Sequence, residues 1–127
     1  MPKSQMTHVM LGSDDVVRSK VFYDAILGAP GFVPGTDAGT HVYYVHGDEP
    51  ALGIGTPFDR ESATLGHGAT VGSPAASNDA VDALHAAALA HGGTDEGAPG
   101  PRVLESGSTF GAYLRDPDAN KICAYAT

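Results

Sequence analysis

The chain has no tryptophan, a single cysteine (Cys123), and only seven lysines and arginines against fifteen aspartates and glutamates. One cysteine cannot close an internal disulfide, so stability must come from core packing, as is usual in a reducing compartment. A formal charge of -8 sets up a field that repels phosphate backbones and anionic lipid surfaces, and neither nucleic acid nor membrane is an expected partner. No stretch approaches the roughly 20 apolar residues of a membrane span, and no heptad pattern persists. The opening MPKSQMTHVM lacks the basic-then-apolar run of a secretory leader, so the expected localisation is cytoplasmic. Also missing are a Gly-rich phosphate loop followed by Lys and Ser or Thr, a nucleophile elbow and a paired-cysteine motif, and several enzyme classes fall away with them.

What is present is a chain of 127 residues, enough for one domain over residues 1–127 with a real hydrophobic core. Seventeen glycines and nine prolines predict many short elements and frequent turns. Thr7 to Leu11 is a β-leaning run, and Gly12-Ser13-Asp14-Asp15 then supplies a turn and helix-capping side chains. Between Asp14 and Leu27 the apolar residues Val17, Val21, Phe22, Ala25 and Ile26 recur at helical spacing, predicting one buried helix face before Gly28 and Pro30 end it. Three β-like pieces follow, near Phe32-Val33, at Thr40 to Val45 and at Ala51 to Thr56, with Gly47-Asp48-Glu49-Pro50 turning between the last two.

Pro57 to Gly66 is polar and aperiodic and reads as a connector, after which the same order returns. An extended run near Ala69 to Gly72 precedes a helix over about Asn78 to Ala90, capped by Ser77 and stopped by Gly92-Gly93, with Val81, Leu84, Ala88 and Leu89 on one face. His85 and His91 on this helix read as structural. Extended pieces near Arg102 to Leu104, Thr109 to Arg115 and Lys121 to Tyr125 complete the second half, and Asp116-Pro117-Asp118-Ala119-Asn120 has the chemistry of a hairpin turn. Strand, helix and three strands thus occur twice, as modules of about 60 residues spanning about 5–57 and about 66–127. The expected fold class is α+β.

Three strings, His8-Val9-Met10-Leu11-Gly12-Ser13-Asp14-Asp15 with Ser19-Lys20-Val21-Phe22-Tyr23 and Leu27-Gly28, Val81-Asp82-Ala83-Leu84-His85 through Gly92-Gly93 to Gly97-Ala98-Pro99-Gly100-Pro101-Arg102, and Arg115-Asp116-Pro117-Asp118-Ala119-Asn120-Lys121-Ile122, resemble the vicinal oxygen chelate superfamily. That superfamily holds glyoxalase I, extradiol dioxygenases, fosfomycin resistance enzymes and bleomycin-binding proteins. The second string is similar to a branch labelled lactoylglutathione lyase-like. In the third, the family usually has Gly where this chain has Ala119. The resemblance covers essentially the whole chain and implies two βαβββ modules whose curved sheets form a cup for a small ligand, closed within one chain or across a homodimer.

In metal-using members the resemblance implies a divalent ion, Zn, Ni, Mn or Fe, held by His and carboxylate side chains on the sheet strands and acting as a Lewis acid on vicinal oxygens. His8 stands at the first ligand position. The second position falls on the strand Ala51 to Thr56, which offers no strong ligand. At the third, His67 competes with Thr70, and counting back from Ser77 and Val81 favours Thr70. At the fourth, a Glu in the family, stands Cys123. An altered site would combine His8, His67 and Cys123; the alternative is a metal-free state. Tyr43 and Tyr44 are adjacent on a strand, so one of them faces the cup. Tyr113 and Arg115 share a face, where a phenol beside a guanidinium suits a carboxylate or oxyanion, and Arg102 follows the Gly- and Pro-rich loop at the cup mouth with Glu105 nearby as a partner or base. Two functions follow from the resemblance: a glyoxalase-like metal-dependent lyase, isomerase or dioxygenase acting on a small oxygen-rich molecule with a degraded metal site, or a metal-free small-molecule binder of the bleomycin-resistance type.

Overall fold

The computed structural model describes residues 6–27, 33–37, 39–64 and 66–126; in 33–37 only the backbone course is described. The element order is β1 (His8–Gly12), α1 (Val16–Leu27), β2 (Val33–Asp37), β3 (His41–Val45), β4 (Ala51–Gly55), β5 (Val71–Ala75), α2 (Asn78–Ala90), β6 (Thr94–Leu104), β7 (Gly107–Arg115) and β8 (Lys121–Ala126). The strands form two four-stranded sheets of matching order, β1-β4-β3-β2 and β5-β8-β7-β6. In each, the first strand runs parallel to the fourth and the rest are antiparallel, so the βαβββ unit occurs twice as the sequence predicts.

Local chemistry explains the boundaries. Asp15 caps α1, its carboxylate accepting from the Arg18 amide at 3.0 Å. Ser77 caps α2 in the same manner through Ala80 N at 3.1 Å. The amide of Gly93 donates to Ala88 O at 2.8 Å and closes the far end of α2. Between β7 and β8 the Asp116 carboxylate accepts from the amides of Asp118 and Asn120, folding the predicted turn, and Ala119 is held there at a left-handed φ of 69°.

One core is shared by both modules. Phe22, Tyr23, Ile26 and Leu27 of α1 pack with Val42, Tyr44, Leu52 and Ile54 of the first sheet, and with Leu84 and Ala88 of α2 and Leu114, Ile122 and Ala124 of the second. The helices touch each other directly, and the back of each sheet is covered. A polar tie lies beside this core. Asn120 donates from its side chain to Gly12 O, Tyr23 donates to Asp116 at 2.6 Å, and Asp118 accepts from Asp14 N, Arg18 and Ser19. The connector is anchored too, with Ala63 N donating to the Asp14 carboxylate.

Four expectations shift. Val17 and Val21 do not lie on the buried face of α1; they are 77% and 56% exposed, while Ser19 and Tyr23 are fully buried. The helix is rotated toward the Asp116 and Asp118 turn, which takes the hydroxyls of those two residues as donors. Leu89 likewise points outward from α2. The extended run expected near Ala69 to Gly72 lies further along, as Val71–Ala75. The stretch Gly97 to Pro101 is not a loop but part of an eleven-residue β6, with register shifts around Gly97. As an edge strand β6 can carry two prolines and bulges without breaking the sheet interior. The strand piece expected at Phe32, and the stop signals Gly28 and Pro30, lie outside the described residues.

Candidate functional site: two open sheet faces

Strand alternation divides each sheet between a helix-covered face and an open one. In the first sheet Val42, Tyr44, Leu52 and Ile54 are covered, so His41, Tyr43, Gly53 and Gly55 face the other way, together with Met10 and His8 of the neighbouring strand. Of the adjacent pair, therefore, Tyr43 is on the open face and Tyr44 is core, its hydroxyl donating to Asp24 at 2.8 Å. The Tyr43 ring stands between two imidazoles, edge-on to His8 at 6.5 Å and stacked with His41 at 6.4 Å between centroids. Each histidine is oriented by the threonine before it, His8 Nδ1 lying 2.9 Å from Thr7 Oγ1 and His41 Nδ1 2.9 Å from Thr40 Oγ1.

The floor beneath these side chains is glycine for a steric reason. A Cβ on Gly53 would lie 2.2 Å from Met10 Sδ and 2.9 Å from the Tyr43 ring, and one on Gly55 would lie 2.1 Å from the His41 ring. Met10, Tyr43 and His41 lie flat across β4 because β4 presents nothing there.

The second sheet repeats the device. Tyr113, Cys123, Tyr125, Lys121, Arg115 and Arg102 share its open face, opposite the covered Ala112, Leu114, Ile122 and Ala124. The Tyr125 ring lies over Gly111, where a Cβ would come within 2.4 Å of it, and its hydroxyl is hydrogen-bonded to that of Tyr113. That bond, with burial behind it, pushes the Tyr125 phenol up to about 12. Lys121 Nζ sits 5.1 Å from the centre of the Tyr113 ring. Cys123 is buried beside them, and burial raises its thiol above the ordinary value, holding it neutral. The Arg102 guanidinium is folded back over Gly97 and Gly100, donating to Ala98 O at 2.7 Å and Pro101 O at 3.1 Å. Arg115 is engaged on the protein itself, pairing with Glu96 at 2.9 Å and donating to Ala119 O at 3.0 Å. Glu105 is exposed near the tip of the β6–β7 hairpin.

The edge strands β1 and β5 border a cleft of about 860 Å³, lined by Val9, Leu11, Leu27, Leu52, Val71 and Pro74 among others. A smaller cavity of about 220 Å³ lies where Met10, Gly12, Asn120 and Lys121 meet the connector.

The candidate metal ligands fall in three places. His8 is exposed on β1, His67 is exposed in the turn before β5, and Cys123 is on β8 of the other sheet. Thr70 immediately precedes β5, two residues from Gly72, which pairs with Cys123. Among the described residues no three His, Cys, Asp or Glu side chains stand together as a metal site. The residues present do not make up a three-ligand site: β4 turns Ala51, Gly53 and Gly55 to the open face, none with a side-chain donor atom, and His8, His67 and Cys123 do not stand together. His85 is buried with Nε2 2.8 Å from Asp95, whose carboxyl that contact and the Gly97 amide hold below its usual value, and His91 Nδ1 lies 2.7 Å from Ala87 O near the end of α2. His41, Met10, Lys121 and Tyr125 were not singled out by sequence, although each lies two residues from one that was, on the same face by alternation.

A pair of βαβββ modules, each with one helix-covered and one open face, defines a class of small cup-forming proteins. Residues 5–124 match the Glyoxalase/Bleomycin resistance protein/Dioxygenase superfamily, and the chain belongs to it. Members commonly bind small molecules and form dimers, and often use divalent metals. A glyoxalase/bleomycin resistance protein from Albidiferax ferrireducens T118 is 45% identical, with a TM-score of 0.91 over 98% of this chain and 100% of that one. A glyoxalase-related enzyme from Fulvimarina pelagi (18% identity, TM-score 0.78, 98% of this chain and 89% of that one) shares the fold. So does a lactoylglutathione lyase from Agrobacterium tumefaciens (19% identity, TM-score 0.67, 99% and 97%). None of the curated proteins compared with the chain matches it. No described helix is long and apolar enough to cross a membrane.

Proposed function

We propose that this protein is a cytoplasmic small-molecule binder of the bleomycin-resistance type, whose ligand lies between the open face of the first sheet in one copy and that of the second sheet in a partner copy. The observation that carries this reading is the make-up of the two faces: aromatic and apolar side chains laid over glycine floors, with no donor triad among the described residues. Such a surface offers flat contact area and a few polar tips, which is what a ligand wall needs and a Lewis-acid centre does not. Tyr43 and His41 supply one wall, Tyr113 and Arg102 the other, and Arg115 braces the strand that carries Tyr113. The two half-exposed faces bury each other in a homodimer.

A second reading retains a metal-dependent lyase, isomerase or dioxygenase, and His8 favours it, because the imidazole stands exposed at the family's first ligand position on β1. Metal analysis of untagged protein purified without chelator, with His8→Ala alongside, separates the two. The binder reading expects no stoichiometric Zn, Ni, Mn or Fe, even after metal addition, and a dimer in solution by light scattering. Close to one equivalent of metal, lost in His8→Ala, would overturn it and establish an altered site built on His8, with His67 and Cys123 the next positions to test.

A further inference from the structure

In a chain of net charge -8, a cation without a carboxylate partner stands out. Arg18 pairs with Asp118, Lys20 with Asp24 and Arg115 with Glu96. Among the described residues Arg102 and Lys121 make no such pair, and neither does Arg60, which is fully on the surface of the connector. Arg102 donates only to two backbone carbonyls, and Lys121 lies against the Tyr113 ring. Both are half-buried, and both lie on the open face of the second sheet.

Between them is the phenol pair. Two hydroxyls carry two protons, and the Tyr113–Tyr125 bond uses one, which leaves one O–H to donate outward. The guanidinium keeps further N–H groups beyond the two already spent, in a fork that matches a carboxylate. The glycine floor is what brings these groups together: Gly111 lets Tyr125 lie flat and reach Tyr113, and Gly97 and Gly100 let the Arg102 guanidinium fold in over the strand.

We propose that the open face of the second sheet is an anion site, in which Arg102, Lys121 and the free hydroxyl of the Tyr113–Tyr125 pair bind the carboxylate of a small organic acid. The proposal rests on the reading of this face as a ligand wall and goes beyond it by fixing the ligand's charge and the group that is recognised. A neutral ligand would leave two cations facing a low-polarity cup without compensation, at a desolvation cost that a carboxylate removes.

Isothermal titration of the intact protein at low ionic strength with acetate, pyruvate and benzoate, and with neutral benzamide, tests this. Because the chain lacks tryptophan, the near-ultraviolet difference spectrum reports tyrosine directly. At least one of the carboxylates is expected to bind and perturb the tyrosine spectrum, with benzoate at least about tenfold tighter than benzamide. Arg102→Gln and Lys121→Gln should each weaken binding by about tenfold, whereas Lys20→Gln on α1 should not. Equal binding of benzoate and benzamide would overturn the anion site while leaving the ligand-wall reading intact. Carboxylate binding that survives both variants, or no binding by any of the three acids, would overturn it as well, whatever the metal analysis shows.

Discussion

The hydroxyl of Tyr23, on the first helix, donates a 2.6 Å hydrogen bond to the buried carboxylate of Asp116 in the last turn, ninety-three residues away. Through it the module that opens the chain is fastened to the turn that closes the second. Both groups are withdrawn from water, Tyr23 completely, and burial together with the facing carboxylate raises the phenol well above its ordinary value. Tyr23→Phe keeps the ring in the core and removes only the donor. The expected loss is about 1–3 kcal/mol, read from the midpoint of urea unfolding with the slope unchanged. An unchanged midpoint would show that the contact contributes nothing.

Asp116 titrates in an unusual sense. Burial raises its carboxyl above 3.8, outweighing the hydrogen bonds from Tyr23, Asn120 and Asp118 that favour the charged form. The folded state therefore binds this proton more tightly than the unfolded chain does. The contribution is fully present below about 3.8 and is lost as pH rises through the higher folded value. Comparing wild type with Asp116→Asn across the acid range, the wild type should gain relative stability as pH falls through that window. A relative loss on acidification would mean that the charged form is the favoured one.

Ala119 occupies a left-handed position, φ 69°, that a Cβ makes costly. Its amide still donates to Asp116 O and its carbonyl accepts from Arg115, so the conformation is fixed by contacts on both sides. Ala119→Gly is expected to stabilise the protein by up to about 1 kcal/mol, the left-handed strain outweighing the added freedom of the unfolded chain. Thermal unfolding should show a raised midpoint.

The phenol pair offers a spectroscopic prediction. The bond from Tyr113 is the leading reason that Tyr125 ionises near 12 instead of 10.0. Spectrophotometric titration of Tyr113→Phe should show one tyrosine moving down toward the ordinary value. Gly111→Ala should act in the same direction, because its methyl group displaces the Tyr125 ring from the position that reaches Tyr113, and should cost about 1–3 kcal/mol of stability.

Much of the fold is written locally and was legible for that reason. Ser77, the helical spacing of Val81, Leu84 and Ala88, and Gly92-Gly93 carry every signal of α2 within the segment itself, and the Asp116 to Asn120 turn declares its own chemistry. The burial of Ser19 and Tyr23 in place of Val17 and Val21 was not legible, because the donors answer to acceptors about a hundred residues away. Strand β6 was hidden by Gly97, Pro99, Gly100 and Pro101, which read as a loop until an edge position makes them tolerable. Of the site, His8, Tyr43, Tyr113 and Arg102 could be picked out as residues of the right type on plausible strands. Lys121 and Tyr125 gain their meaning only from the cross-strand register that sets them beside Tyr113.

The glycines of β4 have a consequence for how this protein can change. A side chain placed at position 53 would meet Met10 Sδ and the Tyr43 ring, so both must move to admit it. Moving them lifts a thioether and a phenol ring off the glycine floor and disturbs the wall they form. A larger residue at position 53 or 55 is thus felt first by the wall lying over it and only then by the strand that carries it.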